Sequence, residues 1–287
     1  MSELHIKNNV YGIKNNLCII CGSELTERIL LNVSNEKDTY LEYLSIDYLS
    51  DSLPRFYTSC TNCSNISRSV RLTPTTMTDL YEKFRDLELR GESRKEYWER
   101  ITNYPRETSE NFEKVKFLEQ FVNLKSSKVL DIGCGLGVLL NSLAVVGGCP
   151  VGNLTGVEPT PDTNRFCSDR GIRIDEKYLN LGEPYEEKYD LVMAVHVIEH
   201  VPDHREFIAI CKENCSNNGY IYLECPSSLD IGHLPLDHDR FMCQHEVIFS
   251  IDGLIKLVKD AGLVVEHASV FLSRRNRFNN RILARLN

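Results

Sequence analysis

The glycine-rich stretch near the middle of the chain reads Val129-Leu130-Asp131-Ile132-Gly133-Cys134-Gly135-Leu136-Gly137. Its first residues are aliphatic or β-branched and are typical of a short buried strand. Three glycines at alternate positions then predict a tight turn, and an apolar helical pattern begins directly after it at Val138. A strand, a glycine turn and a helix in this order are how an α/β fold presents its backbone to a nucleotide.

The spacing of these glycines, and the acid before them, indicate which kind of nucleotide binds. A dinucleotide site reads G-x-G-x-x-G and turns the N-terminus of its helix toward a pyrophosphate. Here the pattern is G-x-G-x-G, and Asp131 precedes it at the end of the strand. A carboxylate in that place suits a ligand with a cationic amine better than one with two phosphates. We therefore expect S-adenosylmethionine as the cofactor.

On these residues the chain resembles the class I S-adenosylmethionine-dependent methyltransferases. The resemblance implies an α/β fold, with a doubly wound, mostly parallel seven-stranded sheet of the Rossmann-like kind and helices on both faces. It places the glycine loop under the methionine part of the cofactor and a second acid, after the next strand, at the ribose hydroxyls. The cofactor-binding residues that we expect are Asp131, Gly133, Cys134, Gly135, Gly137, Glu158, Pro159 and His196.

The α/β alternation occupies only part of the chain. Strands are predicted at 128–131, 154–158, 172–174, 190–195, 220–224 and 264–271. We expect a zinc-binding module over 1–75, a helical linker that covers the cofactor over 76–125, the S-adenosylmethionine-binding domain over 126–273, and a basic C-terminal tail over 274–287. Tyr97 and Trp98 in the linker either pack its helices together or help to close the cofactor pocket. The tail is interpreted as a solvated terminal strand edge or helix, or as a contact for an acidic partner.

Two cysteine pairs lie in the first of these parts, Cys18-x-x-Cys21 and Cys60-x-x-Cys63. A two-residue spacer lets both thiolates of a pair reach one tetrahedral zinc ion, and the glycine after the first pair relaxes the turn. With four thiolate ligands no coordination position is left for catalysis, so the zinc is predicted to be structural. A redox role, or a chance pairing, is the alternative.

The composition of the chain counts against several classes of protein. The chain has 287 residues and a formal net charge of −8, and this balance counts against a sequence-independent nucleic-acid binder. Its first residues lack the pattern of a signal peptide, and no apolar run reaches the roughly 18 residues that a membrane span needs. Eleven cysteines without a secretory signal favour a reducing compartment, so a cytoplasmic location is expected.

The order of these motifs resembles the deoxysugar C-methyltransferases of bacterial carbohydrate pathways. Those proteins also carry an N-terminal double C-x-x-C module before the glycine motif. The segment Gln244-His245-Glu246-Val247-Ile248-Phe249-Ser250 is similar to their Tyr-His-Glu-His-x-x-Phe/Tyr-Ser segment. This sequence has Gln244 and Val247 in place of the tyrosine and the second histidine, and the large C-terminal domain of that family has no counterpart in it.

Catalysis on a sulfonium methyl group requires an aligned nucleophile and a base for its proton. Of the histidines near the strand ends, we predict His245 as the base, Glu246 as its orienter and His238 as the rival. His200 either faces the substrate or orients a helix, and Glu199 beside it is expected to be a structural hydrogen-bond partner. A loop rich in ionisable residues is interpreted as a substrate lid, with a plain surface loop or a His/Asp metal site for a catechol-type substrate as alternatives. The lid residues are His233, Asp237, His238, Asp239, Arg240, His245 and Glu246.

These features together predict a methyltransferase that uses S-adenosylmethionine and carries a structural zinc ion. Its expected acceptor is a small, oxygen-rich molecule such as a nucleotide-linked sugar or a carbohydrate precursor. Transfer to carbon, oxygen or nitrogen remains open, as does the oligomeric state, and no membrane partner is expected. One alternative is an RNA base methyltransferase, against which the net charge counts. The other is a non-catalytic binding protein that uses the same fold and zinc module.

Overall fold

The computed structural model describes residues 17–25, 27–29, 57–68, 73, 77, 80, 91–160, 162–235, 238–241 and 244–287. Asp237 of the predicted lid and residues 81–90 of the predicted helical linker lie outside these ranges. The described elements are β1 (Glu27–Ile29), β2 (Tyr57–Ser59), β3 (Ile66–Arg68), α1 (Arg94–Thr102), α2 (Glu110–Leu118), β4 (Val129–Ile132), α3 (Val138–Val145), β5 (Leu154–Val157), α4 (Thr163–Ser168), β6 (Arg173–Asp175), β7 (Tyr189–Val195), α5 (His204–Asn214), β8 (Cys215–Pro226), β9 (Val247–Ile248), α6 (Ile251–Asp260), β10 (Leu263–Leu272) and β11 (Phe278–Leu286).

Seven strands form the main sheet, in the order β10-β11-β8-β7-β4-β5-β6. The five strands from β8 to β6 are parallel, and β11 runs antiparallel to both of its neighbours. All four residues of β4 are buried, as expected for a strand that is covered on both faces. The predicted mostly parallel, doubly wound sheet is therefore confirmed. Strands β5 and β6 are added on one side of β4, and β7 and β8 on the other, so the strand order switches beside β4. Open α/β sheets bind their ligands at such a switch point.

Helices cover the sheet on both faces and pack against it through their buried apolar residues. Trp98 of α1, Val115 of α2 and Leu139 of α3 belong to one buried cluster. Phe207 of α5 and Leu254 of α6 belong to the other. Within the described residues, no helix combines the length and the apolar character that crossing a bilayer requires.

A second, four-stranded antiparallel sheet joins the N-terminal segment to the end of the main domain. Its order is β1-β2-β3-β9, and β9 belongs to the segment that carries His245 and Glu246. The backbone N–H of Arg68 donates to the carbonyl of Glu246 at 3.1 Å. The hydroxyl of Ser250 donates to the carbonyl of Cys63 at 2.7 Å, and its backbone N–H donates to Oδ1 of Asn65 at 2.8 Å. The cysteine-containing segment is thus bonded directly to residues 246–250.

The structure differs from the sequence prediction at the C-terminus. Residues 278–286 form a strand, as one interpretation held, but this strand, β11, lies inside the sheet between β10 and β8 and is neither a separate tail nor a solvated edge. Ile282 and Leu283 are fully buried there. The buried position was not predicted, because the basic run before the strand dominates the local composition. That run forms the turn from β10, and Arg274 and Arg275 make ion pairs with carboxylates of α2.

Candidate active site

The glycine turn follows β4 in a backbone conformation that only glycine adopts readily. Gly133, Gly135 and Gly137 all have positive φ angles, and α3 begins directly after Gly137. A Cβ atom added to Gly133 would lie 2.5 Å from Cγ2 of Val197, so the turn also packs closely on the segment after β7. Any side chain at this position would therefore require either Val197 or the turn to move.

Two acids lie side by side at the carboxyl ends of β4 and β5. The parallel register pairs Asp131 with Gly156, so that Glu158 follows β5 at the same edge of the sheet. Glu158 accepts hydrogen bonds from the backbone N–H of Gly135 at 3.0 Å and from the hydroxyl of Thr160 at 2.6 Å. Asp131 and Glu158 are each only 3% exposed, yet both line the cavity at the glycine turn.

The burial of these acids changes the pKa of Asp131. Burial, followed by the nearby charge of Glu158, raises the pKa of Asp131 to about 8. A positively charged ligand group beside the two carboxylates would offset the free-energy cost of ionising them in a buried position. The arrangement therefore favours a ligand that brings a cation to the carboxyl ends of β4 and β5.

Two adjoining cavities meet at this edge of the sheet. The glycine-loop cavity is bounded by Asp131, the glycine turn, and Arg94 and Tyr97 of α1. The histidine cavity is bounded by His200, Tyr178 and Phe207, and the two cavities share the residues Gly133, Glu158, Thr160 and His196. Tyr97 thus faces a cavity, whereas Trp98 is buried against Phe166. A ligand that fills both cavities would pass over Glu158 and His196.

His196 stands at the wall between the cavities in a strained backbone conformation. Its φ angle is 57°, in the left-handed region, and its backbone N–H donates to the carbonyl of Glu224 at 2.8 Å. Nδ1 lies 3.3 Å from Oε1 of Glu199, and Nε2 lies 3.9 Å from Oε1 of Glu224. The imidazole is therefore held between two buried carboxylates while 42% of the side chain remains exposed.

Glu224 is fully buried and belongs to a network that the sequence analysis missed. Nζ of Lys114 lies 3.1 Å from Oε1 of Glu224, and the hydroxyl of Tyr222 donates to Oε2 at 2.5 Å. Nε of Arg281 donates to the same hydroxyl at 3.1 Å. Burial alone would raise the pKa of Glu224, but the charges of Lys114 and His196 outweigh it and lower the pKa. The network ties α2 and β11 to the wall of the cavity.

A second cluster, which we call the Glu199 cluster, consists of Glu199, His200 and His245. Nδ1 of His200 lies 2.7 Å from the carbonyl of Gln244, and its Nε2 lies 3.8 Å from Oε1 of Glu199. The rings of His200 and His245 stack at 4.8 Å between centroids. Burial would raise the pKa of Glu199, but the charges of His200 and His196 lower it to about 2. Burial lowers the pKa of His245.

The structure brings some of the predicted catalytic residues together and separates others. His196 and His200 line the histidine cavity, and His245 lies directly behind His200. Glu246 is buried, and its backbone N–H donates to the carbonyl of Glu199 at 3.2 Å. His238 lies apart, with Nδ1 2.9 Å from a carboxylate oxygen of Asp239. The histidine spacing indicated this region, but only the fold places Glu199 at the centre of the cluster.

The two cysteine pairs converge on one point and form what we call the four-cysteine cluster. Its members are Cys18, Cys21, Cys60 and Cys63. The sulfur atoms of Cys18 and Cys63 lie 3.5 Å apart, as do those of Cys21 and Cys60, and all four lie within 4.8 Å of one another. A tetrahedral zinc ion with sulfur ligands at about 2.3 Å needs sulfur separations of about 3.8 Å. The donor set therefore fits zinc.

The backbone supports the same ligand geometry at both pairs. The N–H of Gly22 donates to the carbonyl of Cys18 at 2.8 Å, and the N–H of Ser64 donates to the carbonyl of Cys60 at 2.8 Å. Both Gly22 and Ser64 have positive φ angles. The two knuckles are thus built alike, although only the first carries the glycine.

Comparison with known proteins relates the chain to methyltransferases. A family model described as a methyltransferase domain matches residues 97–268, which is more than half of the chain. The ubiquinone biosynthesis O-methyltransferase of Hydrogenovibrio crunogenus is 28% identical over 116 residues, which cover 38% of this chain and 46% of that protein. That of Pseudomonas syringae pv. tomato is 26% identical over 129 residues, which cover 44% of this chain and 56% of that protein. The chain spans about half the length of these curated relatives.

A solved structure shows the same fold. Magnesium protoporphyrin IX methyltransferase from Synechocystis PCC 6803, with bound SAH, has a TM-score of 0.53 and 15% sequence identity. The match covers 74% of this chain and 99% of that one. At this identity the likeness extends to the fold, the Rossmann-like fold of class I methyltransferases, and not to the substrate.

The raised pKa of Asp131 predicts how stability depends on pH. In the unfolded chain an aspartate ionises near pH 3.9, whereas Asp131 in the folded, ligand-free protein ionises at about pH 8. Between these values the folded state holds a proton that the unfolded chain has lost, so this residue makes stability fall as the pH rises. Asp131→Asn should therefore gain up to about 4 kcal/mol of unfolding free energy relative to wild type between pH 5 and pH 8.

Urea denaturation of both proteins at the two pH values measures this difference. Asp169→Asn, which removes an exposed carboxylate, is the matched control. An identical pH dependence for wild type and Asp131→Asn would contradict the assignment.

Proposed function

The chain belongs to the methyltransferase-domain family, and from this premise we propose that it transfers a methyl group from S-adenosylmethionine to a small, oxygen-rich acceptor. The observation that carries the proposal is the pair of buried carboxylates, Asp131 and Glu158, beside the glycine turn. S-adenosylmethionine carries an ammonium group and a ribose diol, and these are the groups that two adjacent carboxylates bind well.

Each residue of the glycine-loop cavity has a role in this proposal. Asp131 binds the ammonium group of the methionine part, and the carboxylate of Glu158 accepts hydrogen bonds from the ribose hydroxyls. Gly133, Gly135 and Gly137, with Cys134 between them, let the backbone approach the ligand closely. Pro159 and His196 line the histidine cavity together with Glu158.

When bound, S-adenosylmethionine supplies an electrophilic methyl group that needs no further activation. The work left to the protein is to align the acceptor and to remove its proton. We assign the proton transfer to His196, because it lines both cavities and two buried carboxylates orient its ring. His245, which the sequence analysis favoured as the base, lies behind His200 and is 8% exposed, so it acts as a positioning residue in this proposal.

The acceptor is proposed on three grounds. The curated relatives are O-methyltransferases, and this favours an acceptor oxygen over nitrogen or carbon. The resemblance of the four-cysteine cluster and of residues 244–250 to deoxysugar C-methyltransferases favours a nucleotide-linked sugar or a related carbohydrate. The net charge of −8 weighs against the RNA base methyltransferase alternative.

Calorimetry of S-adenosylmethionine binding tests the cofactor proposal. Asp131→Ala removes a charge-assisted contact and Gly135→Val forces a side chain into the turn, so each should weaken binding at least about tenfold. His233→Gln, outside both cavities, is the control and should bind like wild type. Unchanged affinity in both site variants, or retention of NAD or FAD in place of S-adenosylmethionine, would contradict the proposal.

We also propose that the four-cysteine cluster binds a structural zinc ion. All four donor atoms are thiol sulfurs, and their separations match a tetrahedral ion. Such an ion would close the loop between the two knuckles and help to hold β3 between β2 and β9.

Metal analysis by mass spectrometry tests the zinc site. Wild type should contain about one zinc ion per chain, and Cys18→Ser should lose most of it together with several kcal/mol of unfolding free energy. Cys149→Ser changes a buried cysteine outside the cluster and should keep the metal. Zinc content that is equal in the two variants would refute the assignment.

A further inference from the structure

We propose that the Glu199 cluster binds a divalent transition-metal cation next to the histidine cavity, with one oxygen of Glu199 and one nitrogen each of His200 and His245 as ligands. The three donor atoms lie within 4.8 Å of one another. A cation bound at about 2.0–2.2 Å from each ligand atom needs donor separations of about 3–4 Å, so small side-chain movements complete the site. The cluster shares no ligand with the four-cysteine cluster.

Two donor atoms of the cluster are buried without a hydrogen-bond partner. Within the described residues, neither Oε2 of Glu199 nor Nδ1 of His245 has one. Glu199 is 2% exposed and His245 is 8% exposed, so water does not readily replace the missing partners. A buried polar atom that is left unpaired costs about 1–3 kcal/mol, and more when the group is charged. A bound cation would satisfy both atoms at once.

The surroundings of the two histidines indicate which ring nitrogen of each would bind a metal. A carbonyl oxygen can only accept, so Nδ1 of His200 carries the proton in its 2.7 Å bond with Gln244 and Nε2 keeps its lone pair. Nδ1 of His245 has no hydrogen-bond partner among the described residues, so this nitrogen is the proposed ligand atom. Metal-binding histidines usually donate their other N–H group to a backbone carbonyl or carboxylate, as His200 does.

The ligand types indicate which metals fit. Two imidazoles and one carboxylate suit Mn²⁺, Fe²⁺, Co²⁺, Ni²⁺ or Zn²⁺, whereas four thiolates select zinc far more strongly. Three protein ligands also leave coordination positions open. His200 lines the histidine cavity, so these positions would face a space that oxygen ligands can enter.

A titration with Mn²⁺, followed by electron paramagnetic resonance, tests the proposal without cofactor, acceptor or turnover. The full chain is first dialysed against citrate, which competes for a two-histidine site much better than for four thiolates. Wild type should then bind about one Mn²⁺ per chain and show the magnetic coupling of two imidazole nitrogens to the bound ion. Glu199→Gln and His245→Gln should each weaken Mn²⁺ binding at least tenfold, and His245→Gln should leave the coupling of a single nitrogen.

His233→Gln is the matched control, because it removes an imidazole outside the cluster and should bind Mn²⁺ like wild type. Far-ultraviolet circular dichroism of each variant checks that it is folded. If either site variant fails to fold, the nitrogen coupling measured in wild type still tests the proposal. Absence of Mn²⁺ binding by wild type, binding without nitrogen coupling, or equal affinity in wild type and both site variants would overturn the proposal.

Discussion

Two carboxylates buried side by side at the ends of β4 and β5 are the constraint on which the site depends. Asp131 and Glu158 lie where the sheet reverses its order, and the glycine turn closes over them. Glu158 holds that turn in place through the N–H of Gly135. The folded, ligand-free protein accommodates the pair by keeping Asp131 protonated near neutral pH. In our proposal the cofactor supplies the positive charge that this edge of the sheet lacks.

The N-terminal segment is hydrogen-bonded to the main domain through β9. The pairing of β3 with β9 and the bonds of Ser250 tie the second cysteine knuckle to the residues that follow His245. Behind the opposite wall, Lys114 and Tyr222 hold Glu224 beside His196. The histidine cavity is therefore fixed from two sides by contacts between distant parts of the sequence. Through these bonds the described part of the N-terminal segment contributes to the geometry of the cavity.

The parts of the fold that local pattern determines could be predicted from the sequence. The glycine stretch, the parallel strands and Glu158 all follow from strand periodicity and from the position of an acid at a strand end. The internal position of β11 could not be predicted, because it depends on pairing with β8, more than 50 residues earlier in the sequence. Lys114 resembles a solvated residue on a charged helix, and only the fold shows that it is buried against Glu224. Glu199 was expected to be a structural hydrogen-bond partner, and it does contact His196 and His200, but its grouping with His245 emerges only from the fold.

Proton release on cofactor binding tests the central claim most directly. S-adenosylmethionine binding is measured by calorimetry at pH 7 in buffers that differ in their enthalpy of ionisation. Our account predicts that wild type releases close to one proton, because Asp131 must ionise beside the cationic ligand, and that Asp131→Asn releases almost none. Binding without proton release in wild type, or equal release by the variant, would contradict it.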